Sequence, residues 1–374
     1  MRGNNVVGIL FSNIHEELVH ELTEKRTIGS IPFGGRYRLI DFPLSNMVNS
    51  GINKVGVITK GNYQSLMDHL GSGKAWDLSR KREGLFLLPP FDGIHGVYSD
   101  VNNRMDSLSA ISRFLKNSRE DYVLLSDCDS VCNIDYKDVI SFHLEHEADI
   151  TVLYRYGKMP AKSNDTSVYT MDPEGRVIDL LVNPSQEGEC NYGMNKMLIR
   201  RELLMDLVND CVSRNMYDFK RHLLQRNIKN YRVFGYEFKG FLNVIDSMNA
   251  YFEANMALMQ PSVRTELFNP ERPIYTKVRD DMPARYGLDS VVENSLIADG
   301  CVVDGEVENC ILFRGVKIAK GSKVSNCVIM QDTVIGENCR LNYVITDKDV
   351  QIRSERSLMG FQSYPVFIAK GSVV

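Results

Sequence analysis

The chain has 374 residues, of which 43% are apolar and 25% are charged, and its formal net charge is -4. At roughly 150 residues per domain this length predicts two domains, and the acidic balance argues against a nucleic-acid-binding protein, which would show a basic excess. No apolar run approaches the ~18 residues that a membrane-spanning helix needs, and the N-terminus lacks the pattern of a secretory signal. We therefore expect a cytoplasmic protein that binds neither nucleic acid nor membrane.

Residues 1–259 alternate short apolar runs with helical patterns. The apolar runs lie at 6–11, 55–59, 122–125 and 150–154. They lack a polar–apolar alternation, which is typical of strands that helices cover on both faces. Helical periodicity lies between them, for example over 105–115 and 202–211. This order predicts a three-layer α/β domain with a largely parallel, Rossmann-like sheet, whose ligands bind beyond the carboxyl ends of the strands.

The pattern of apolar and polar residues changes after residue 259. Four prolines between 261 and 283 predict an extended connector over 260–289, and from 290 to 374 helical periodicity gives way to a repeat. The repeat is an Asn, any residue and two aliphatic residues, and it starts at Asn294, Asn309, Asn326 and Asn342. Because one such unit cannot bury its own apolar face, stacked units are needed. We predict a left-handed parallel β-helix of the hexapeptide type.

Several motifs carry a resemblance to a known family. They include Phe33-Gly-Gly-Arg36-Tyr-Arg38-Leu-Ile-Asp41, Gly71-Ser-Gly73-Lys-Ala-Trp76-Asp77 and Tyr251-Phe-Glu-Ala-Asn255. Over nearly the whole chain the sequence closely resembles the bacterial ADP-glucose pyrophosphorylases (glucose-1-phosphate adenylyltransferases). The resemblance implies a nucleotidyltransferase domain joined to a C-terminal left-handed β-helix. It also implies attack of a sugar-1-phosphate oxygen on the α-phosphorus of ATP, with Mg²⁺ and cationic side chains offsetting the negative charge.

The glycine-rich phosphate loop of that family, Gly-Gly-x-Gly-x-Arg, is degenerate in this chain. Alignment without a gap replaces its glycines with Asn13, Ile14 and Glu16, and its arginine with Leu18. Glycines let backbone N–H groups approach a triphosphate, and a glutamate carboxylate repels it. We expect the stretch 14–24 to form a polar helix that does not bind the triphosphate of ATP.

Other positions that the resemblance assigns to the chemistry have also changed. Asp129 matches the first Mg²⁺-binding aspartate, but Val244 occupies the place of the second, and Asn183 replaces a lysine that binds glucose 1-phosphate. Of the family's Gly-Thr-Ala-Asp turn, Asp106 remains. Asp246 would share the strand face of Val244 and is the alternative second ligand. Asp129 is thus the candidate metal ligand, and we expect Mg²⁺ only if activity remains.

Four cations lie close together in sequence near the Gly34-Gly35 turn: Lys25, Arg26, Arg36 and Arg38. The resemblance places the positions of Lys25, Arg26 and Arg38 near a site for anionic effectors. We consider all four as candidates for binding a phosphate-bearing effector or for contacting the β-helix of a partner subunit. The alternative is that they are solvated cations on a loop and an edge strand.

The combined losses resemble the GlgD-type subunit, the non-catalytic or weakly catalytic member of this family. The resemblance implies a heterotetramer with a catalytic GlgC-type subunit in glycogen biosynthesis, in which this subunit modulates rate or effector response. Two alternatives stay open: an active ADP-glucose pyrophosphorylase with unusual ligands, and a sugar-phosphate or nucleotide sensor without turnover. The main hypothesis assumes that the pocket has lost the positive charge and the accessible glycine backbone that the triphosphate of ATP requires.

Overall fold

A computed structural model describes residues 3–80, 82–89, 103–160, 165–185 and 188–374 of the chain. The α-helices are α1 (His20–Thr23), α2 (Asp41–Asn49), α3 (Gln64–Leu70), α4 (Arg104–Ala110), α5 (Ser112–Lys116), α6 (Tyr136–Glu145), α7 (Arg201–Ser213), α8 (Met248–Ala257) and α9 (Pro261–Leu267). Within these described ranges, no helix combines the length and apolarity that crossing a membrane demands.

The strands before residue 259 alternate with these helices, as the sequence predicts. They are β1 (Val6–Phe11), β2 (Pro32–Phe33), β3 (Tyr37–Arg38), β4 (Lys54–Ile58), β5 (Gly84–Leu88), β6 (Tyr122–Asp127), β7 (Ser130–Val131), β8 (Ile150–Lys158), β9 (Ser167–Met171), β10 (Val177–Val182), β11 (Glu189–Arg200), β12 (Val233–Glu237) and β13 (Asn243–Val244). The main sheet runs β10-β9-β11-β6-β1-β4-β5, with β8 between β11 and β12.

Strands β6, β1, β4 and β5 form the parallel half of this sheet, whereas β11 joins β6 and β8 antiparallel. All residues of β1 and β4 are buried, because helices cover both faces. One face packs against α4, α5 and α7, and the other against α2, α3 and α6. The predicted three-layer domain is therefore confirmed.

The pairing of β1 with β6 determines where the candidate site lies. Phe11, the last residue of β1, pairs with Asp127, the last residue of β6. The loop that follows β1 therefore lies beside the segment that follows β6. Parallel strands bring the residues at their carboxyl ends to one edge of the sheet, where α/β proteins bind ligands.

The segment 260–289 is less extended than its prolines predict. It begins with α9, because Pro261 occupies the first turn of that helix, a position where its missing N–H costs nothing. Beyond Leu267 the chain has no further helix before β14. The prediction of an extended connector was therefore wrong at Pro261, which begins a helix.

Residues 285–368 form a parallel β-helix of short strands. They are β14 (Arg285–Tyr286), β15 (Val291–Glu293), β16 (Leu296–Ile297), β17 (Val302–Val303), β18 (Glu306–Glu308), β19 (Ile311–Leu312), β20 (Lys317–Ile318), β21 (Lys323–Ser325), β22 (Val328–Ile329), β23 (Val334–Ile335), β24 (Arg340–Asn342), β25 (Val344–Thr346), β26 (Gln351–Ile352), β27 (Ser357–Met359) and β28 (Val366–Ile368). Every third strand pairs in parallel, which gives three five-stranded sheets around one core.

The predicted repeat matches the coils except for its fourth member. Asn294, Asn309 and Asn326 each adopt the left-handed conformation at a corner, but in the next coil Tyr343 does so. The pairing of Val328 with Ile345 places this coil 17 residues further along the chain. The start at Asn342 was therefore wrong by one residue, because the corner conformation, and not the Asn side chain, defines the repeat.

One sheet of the β-helix shares a core with the first domain. Phe33 and Phe252 from the first domain belong to the same buried cluster as Ile311, Val328 and Ile345 from the β-helix. This shared core brings the segment after α1 into contact with the last coils of the β-helix.

Candidate functional site

Side chains fill the loop after β1. Asn13 is fully buried and Ile14 packs into the core of the sheet. His15 has a left-handed φ of 70°, a conformation that glycine adopts at less cost. A 3-10 turn at Glu16–Val19 then leads into α1. The predicted helix over 14–24 is therefore two short helical turns, and no glycine lies in the loop.

Glu16 repels an anion less than its sequence position predicts. Burial raises the pKa of its carboxyl to about 7, so near neutral pH a large share of this side chain is protonated. Its Oε1 is buried without a hydrogen-bond partner among the described residues. Leu18, at the position of the family's arginine, is partly buried and supplies no charge. Protonation of Glu16 thus reduces the negative charge of the loop to that of the exposed Glu17, and Leu18 supplies no positive charge for a triphosphate.

A buried ion cluster occupies the edge of the sheet beyond β1 and β6. His15 Nδ1 lies 2.7 Å from Asp129 Oδ2, and His15 Nε2 lies 3.2 Å from Asp165 Oδ2. Arg104, at the start of α4, donates to both carboxylate oxygens of Asp127 and to Asp165. Lys220, from a π-helical turn at 219–224, lies 3.0 Å from Asp165 Oδ1. Because each of these charges has an opposite charge beside it, the cluster is internally paired.

The pKa values of His15, Asp165 and Arg104 keep these three side chains charged at neutral pH. Burial lowers the pKa of His15, but the hydrogen bonds that its ring N–H groups donate to Asp129 and Asp165 outweigh burial and raise that pKa to about 9. Burial would raise the pKa of Asp165, but Arg104 and Lys220 hold it far below its usual range. Arg104 has its pKa raised by Asp127 and Asp165 in spite of burial. The pairs of Asp165 with His15 and Arg104 therefore persist over the physiological pH range. Burial lowers the pKa of Lys220, although the nearby carboxylate of Asp165 opposes this.

The raised pKa of His15 predicts a specific dependence of stability on pH. Since the pKa is 6.5 in the unfolded chain and about 9 in the folded one, its contribution is complete below pH 6.5 and disappears as pH rises through 9. We expect the stability difference between the wild type and His15→Gln to shrink by about 3 kcal/mol from pH 6 to pH 10. Urea denaturation across this range measures it, with the exposed His20→Gln as the control. A difference that does not change with pH would show that His15 is neutral.

The space left inside the cluster is too small for a nucleotide. A cavity of about 30 Å³ lies between Arg104, Asp127 and Lys220, with Tyr169 and Phe219 among its other walls. A water molecule needs ~10–15 Å³, and small-molecule pockets occupy ~300–1,000 Å³. The cavity therefore accommodates one or two waters, and a nucleotide would have to displace the paired side chains.

The residues of the cluster do not fit a Mg²⁺ ion. His15, Asp127 and Asp129 bring one potential ligand atom each within 4.8 Å of one another. However, His15 already binds the carboxylate of Asp129, and Arg104 binds that of Asp127. Mg²⁺ requires an octahedral shell of oxygens and seldom takes imidazole. Asp129 lies where we expected a metal ligand, but its own chain supplies its counter-charge.

The second predicted metal position contains an apolar side chain. Val244 lies opposite Ser130 in the short β13–β7 pair, directly beside Asp129. Asp246, the alternative ligand, is buried and accepts a hydrogen bond from Ser247 Oγ at 3.1 Å. It does not belong to the group of potential ligands that the described residues form around Asp129.

Asn183 and Asp106 have local structural positions. Asn183 has a left-handed φ of 52°, its Oδ1 accepts from the N–H of Thr166 at 2.8 Å, and its own N–H donates to the Thr166 carbonyl at 2.8 Å. These two hydrogen bonds between Asn183 and Thr166 therefore close the open end of the β9–β10 hairpin. Asp106 lies in the first turn of α4, two residues after Arg104.

The four candidate effector-binding cations do not form one group. Arg26 is buried and donates to both carboxylate oxygens of Asp347 in the β-helix at 2.8 Å, while its Nη1 has no partner among the described residues. Arg38 donates to the Ser65 carbonyl at 2.6 Å, and burial lowers its pKa to about 10. Lys25 and Arg36 are exposed. Arg26 and Arg38 are thus close to the Asp347 end of the β-helix, whereas Arg36 lies near Arg314 of an earlier coil.

Lys348 of the β-helix completes this cationic junction. Burial, followed by the nearby charges of Arg38 and Arg26, lowers its pKa to about 7. A lysine whose pKa is lowered by neighbouring cations favours a bound anion, because an anion relieves their repulsion. We define Arg26, Arg38 and Lys348 as the junction cluster.

The structure corrects one assumption of the sequence analysis. The pocket has not lost positive charge, because Arg104, Lys196 and Lys220 all line its cavity. Two of these cations, Arg104 and Lys220, are paired with carboxylates of the same chain. Arg104 stands at the threonine position of the Gly-Thr-Ala-Asp turn, and a large cation at that small position was the sequence signal for this difference. Lys220 and Asp165 gave no comparable signal.

Comparison with known proteins agrees with this architecture. The model of the nucleotidyl transferase family matches residues 19–259, and that of the GlmU-like, C-terminal hexapeptide matches residues 281–363. The second match supports the predicted left-handed form of the β-helix.

Two kinds of relative cover most of the chain. The glycogen biosynthesis protein GlgD of Bacillus subtilis (strain 168) is 37% identical over 373 residues, which cover 100% of this chain and 98% of the relative. GlgD of Geobacillus stearothermophilus is 37% identical and covers 86% of this chain and 83% of its own length. A glucose-1-phosphate adenylyltransferase of Thermosipho africanus is 34% identical, with 86% and 78% covered. The chain belongs to the nucleotidyl transferase family and, within it, to the group of the GlgD glycogen biosynthesis proteins.

Proposed function

We propose that this chain is a GlgD-type subunit that acts in glycogen biosynthesis by modulating a catalytic GlgC-type partner, and that it has little or no activity alone. The buried ion cluster carries the proposal. His15, Arg104 and Lys220 are paired with carboxylates of their own chain, in the place where the family binds its substrates. The similarity to both GlgD proteins and adenylyltransferases supports a retained scaffold with altered chemistry.

Catalysis by this chain would require several changes at once. ATP would have to displace the paired side chains, and its triphosphate would find no glycine loop at Asn13 and Ile14. A metal would find Val244 at the second ligand position and His15 bound to Asp129. These features favour a subunit that needs no Mg²⁺ of its own.

Exposed apolar side chains at both ends of the β-helix support a subunit contact. Near the first coil Met282 is 82% exposed and Leu288 is fully exposed, and near the last coil Phe361 and Tyr364 are 74% and 79% exposed. Large exposed apolar groups of this kind mark protein interfaces more often than free surfaces. We propose that they contact the other subunits of a cytoplasmic heterotetramer.

The direct test compares the chain alone with the chain plus a GlgC-type subunit. Alone, we expect ADP-glucose synthesis from ATP, glucose 1-phosphate and Mg²⁺ to be roughly 100-fold or more below that of the partner, since losing single stabilising groups already costs that much. With the partner, we expect one complex by mass measurement and a changed rate or effector response. Turnover by the chain alone at the partner's rate would contradict the proposal, as would the absence of a complex.

We further propose that the junction cluster binds an anionic effector, with pH-dependent affinity. Lys348 is charged below its pKa of about 7 and neutral above it, so anion binding should weaken as pH rises. We expect the affinity for sulfate, whose charge is constant in this range, to fall roughly tenfold from pH 6 to pH 8.5. In Lys348→Arg the fall should disappear, because arginine stays charged. Equal pH profiles for the two proteins in titration calorimetry would exclude Lys348 from the site.

A further inference from the structure

Three cations in the buried cluster converge on a single carboxylate. Arg104 Nη1 and His15 Nε2 lie 2.5 Å and 3.2 Å from Asp165 Oδ2, and Lys220 Nζ lies 3.0 Å from Asp165 Oδ1. Lys220 also donates to Asn195 Oδ1 at 2.7 Å, which fixes its position. A guanidinium, an ammonium and an imidazole around one anion are the donors that proteins use for phosphate groups.

Asp165 is the outermost member of this arrangement. Its side chain is 25% exposed, whereas those of Arg104, His15 and Lys220 are 9%, 10% and 6% exposed. Of the three carboxylate-binding cations and Asp165, the Asp165 carboxylate therefore has the shortest path to water. If the Asp165 side chain leaves, His15 and Arg104 keep their contacts with Asp129 and Asp127. Lys220 keeps its bonds to Asn195 Oδ1 and to the backbone carbonyl of Asp165.

The charge of the cluster without Asp165 matches that of a phosphate monoester. Arg104 retains Asp127 as a partner and His15 retains Asp129, while Lys220 loses its only carboxylate contact within the cluster. Lys196, which lines the same cavity, donates to the neutral Ser130 hydroxyl at 2.7 Å. Two positive charges are then uncompensated, and a phosphate monoester carries about −1.5 to −2 at pH 7.

We propose that a small phosphate monoester or inorganic phosphate binds between Arg104, Lys220 and His15 in exchange for the Asp165 carboxylate. Asp165 acts as an internal substitute for this anion and holds the site closed in its absence. The adjoining cavity of about 30 Å³ favours a compact ligand over a nucleoside triphosphate. The site uses Arg104 and Lys220, which are distinct from the residues of the junction cluster, and it does not depend on the proposed subunit role.

Titration calorimetry on the isolated chain tests this exchange. The Lys348→Met background weakens the junction cluster, and the probes are inorganic phosphate and glucose 1-phosphate, with chloride at matched ionic strength as the blank. In this background Asp165→Asn should bind at least one probe roughly tenfold more tightly, because the competing charge is gone. Adding Lys220→Met should remove that gain. Asp77→Asn, at a fully separate exposed ion pair, should change nothing.

The two probes also distinguish the source of the phosphate group. Tighter binding of glucose 1-phosphate supports a sugar phosphate as the ligand, and equal binding supports inorganic phosphate. An unchanged affinity in Asp165→Asn, or a gain that survives Lys220→Met, would overturn the proposal. A further measurement leaves the site itself unchanged. In the Lys348→Met chain, a saturating concentration of the probe should shift the ¹⁵N resonance of His15 Nε2, because the Asp165 carboxylate moves away from this atom. An unmoved resonance would also overturn it.

Discussion

Rebuilding the catalytic positions together is expected to raise ADP-glucose synthesis by the isolated chain roughly 100-fold or more, whereas single changes should have little effect. The reason is that the glycine loop, the second metal ligand, the phosphate-binding lysine and the removal of the blocking cation act as one unit. The combined variant consists of Asn13→Gly, Ile14→Gly, His15→Ala, Glu16→Gly, Leu18→Arg, Arg104→Thr, Asn183→Lys and Val244→Asp, in which His15→Ala frees Asp129 for a metal.

The control for this variant omits Val244→Asp alone. It has the same loop and the same loss of the Arg104–Asp127 pair, but it lacks a second carboxylate beside Asp129, so it should stay inactive. A coupled assay for pyrophosphate release measures both, and thermal denaturation establishes that both are folded. If Val244→Asp by itself produced the full gain, the loop and the ion cluster would not be what limits this chain.

Removing Arg104 alone is expected to be the most destabilising single change in the cluster. Arg104→Met would leave Asp127, whose side chain is 1% exposed, without its counter-charge, and would deprive Asp165 of one of its partners. Breaking a buried ion pair on one side costs about 3–5 kcal/mol. We expect a clear fall in the denaturation midpoint of the first domain in urea.

The matched control is Arg214→Met. Arg214 pairs with Asp210 on the exposed surface of α7, with the two side chains 59% and 46% exposed, and such pairs contribute about 0–1 kcal/mol. Similar losses of stability in the two variants would mean that the Arg104 ion pairs are solvated. The buried ion cluster would then not be what fills the site. The Asp127→Asn, Arg104→Met double variant should recover part of the loss, because it removes both charges.

Periodic features of this protein could be predicted from its sequence. The β-branched runs of β1 and β4 indicate buried parallel strands, and the repeat from Asn294 onward indicates the β-helix, because both patterns follow from local geometry. The predictions from sequence were wrong at two positions where the type of side chain does not indicate the backbone conformation. Asn342 has the expected side chain, but Tyr343 has the left-handed corner, and Pro261 starts a helix where we predicted an extended segment.

For the candidate site, the sequence predicts only which catalytic residues of the family have been replaced. The motifs show that Asn13, Asn183 and Val244 stand where other chemistry is expected, since each of them replaces a residue of known type. The new ion pairs could not be predicted in this way, because Asp165 and Lys220 belong to segments 55 residues apart that only the fold brings together. Lys348 likewise approaches Arg38 from the other domain. No local pattern in the sequence links such pairs.

The most direct test of the central claim is a crystal structure of the isolated chain with saturating ATP and Mg²⁺. We predict that His15 Nδ1 stays bonded to Asp129, that Arg104 stays bonded to Asp127, and that no triphosphate lies over residues 13–18. A triphosphate and Mg²⁺ seated on that loop, with Asp129 as a metal ligand and its bond to His15 broken, would contradict the account.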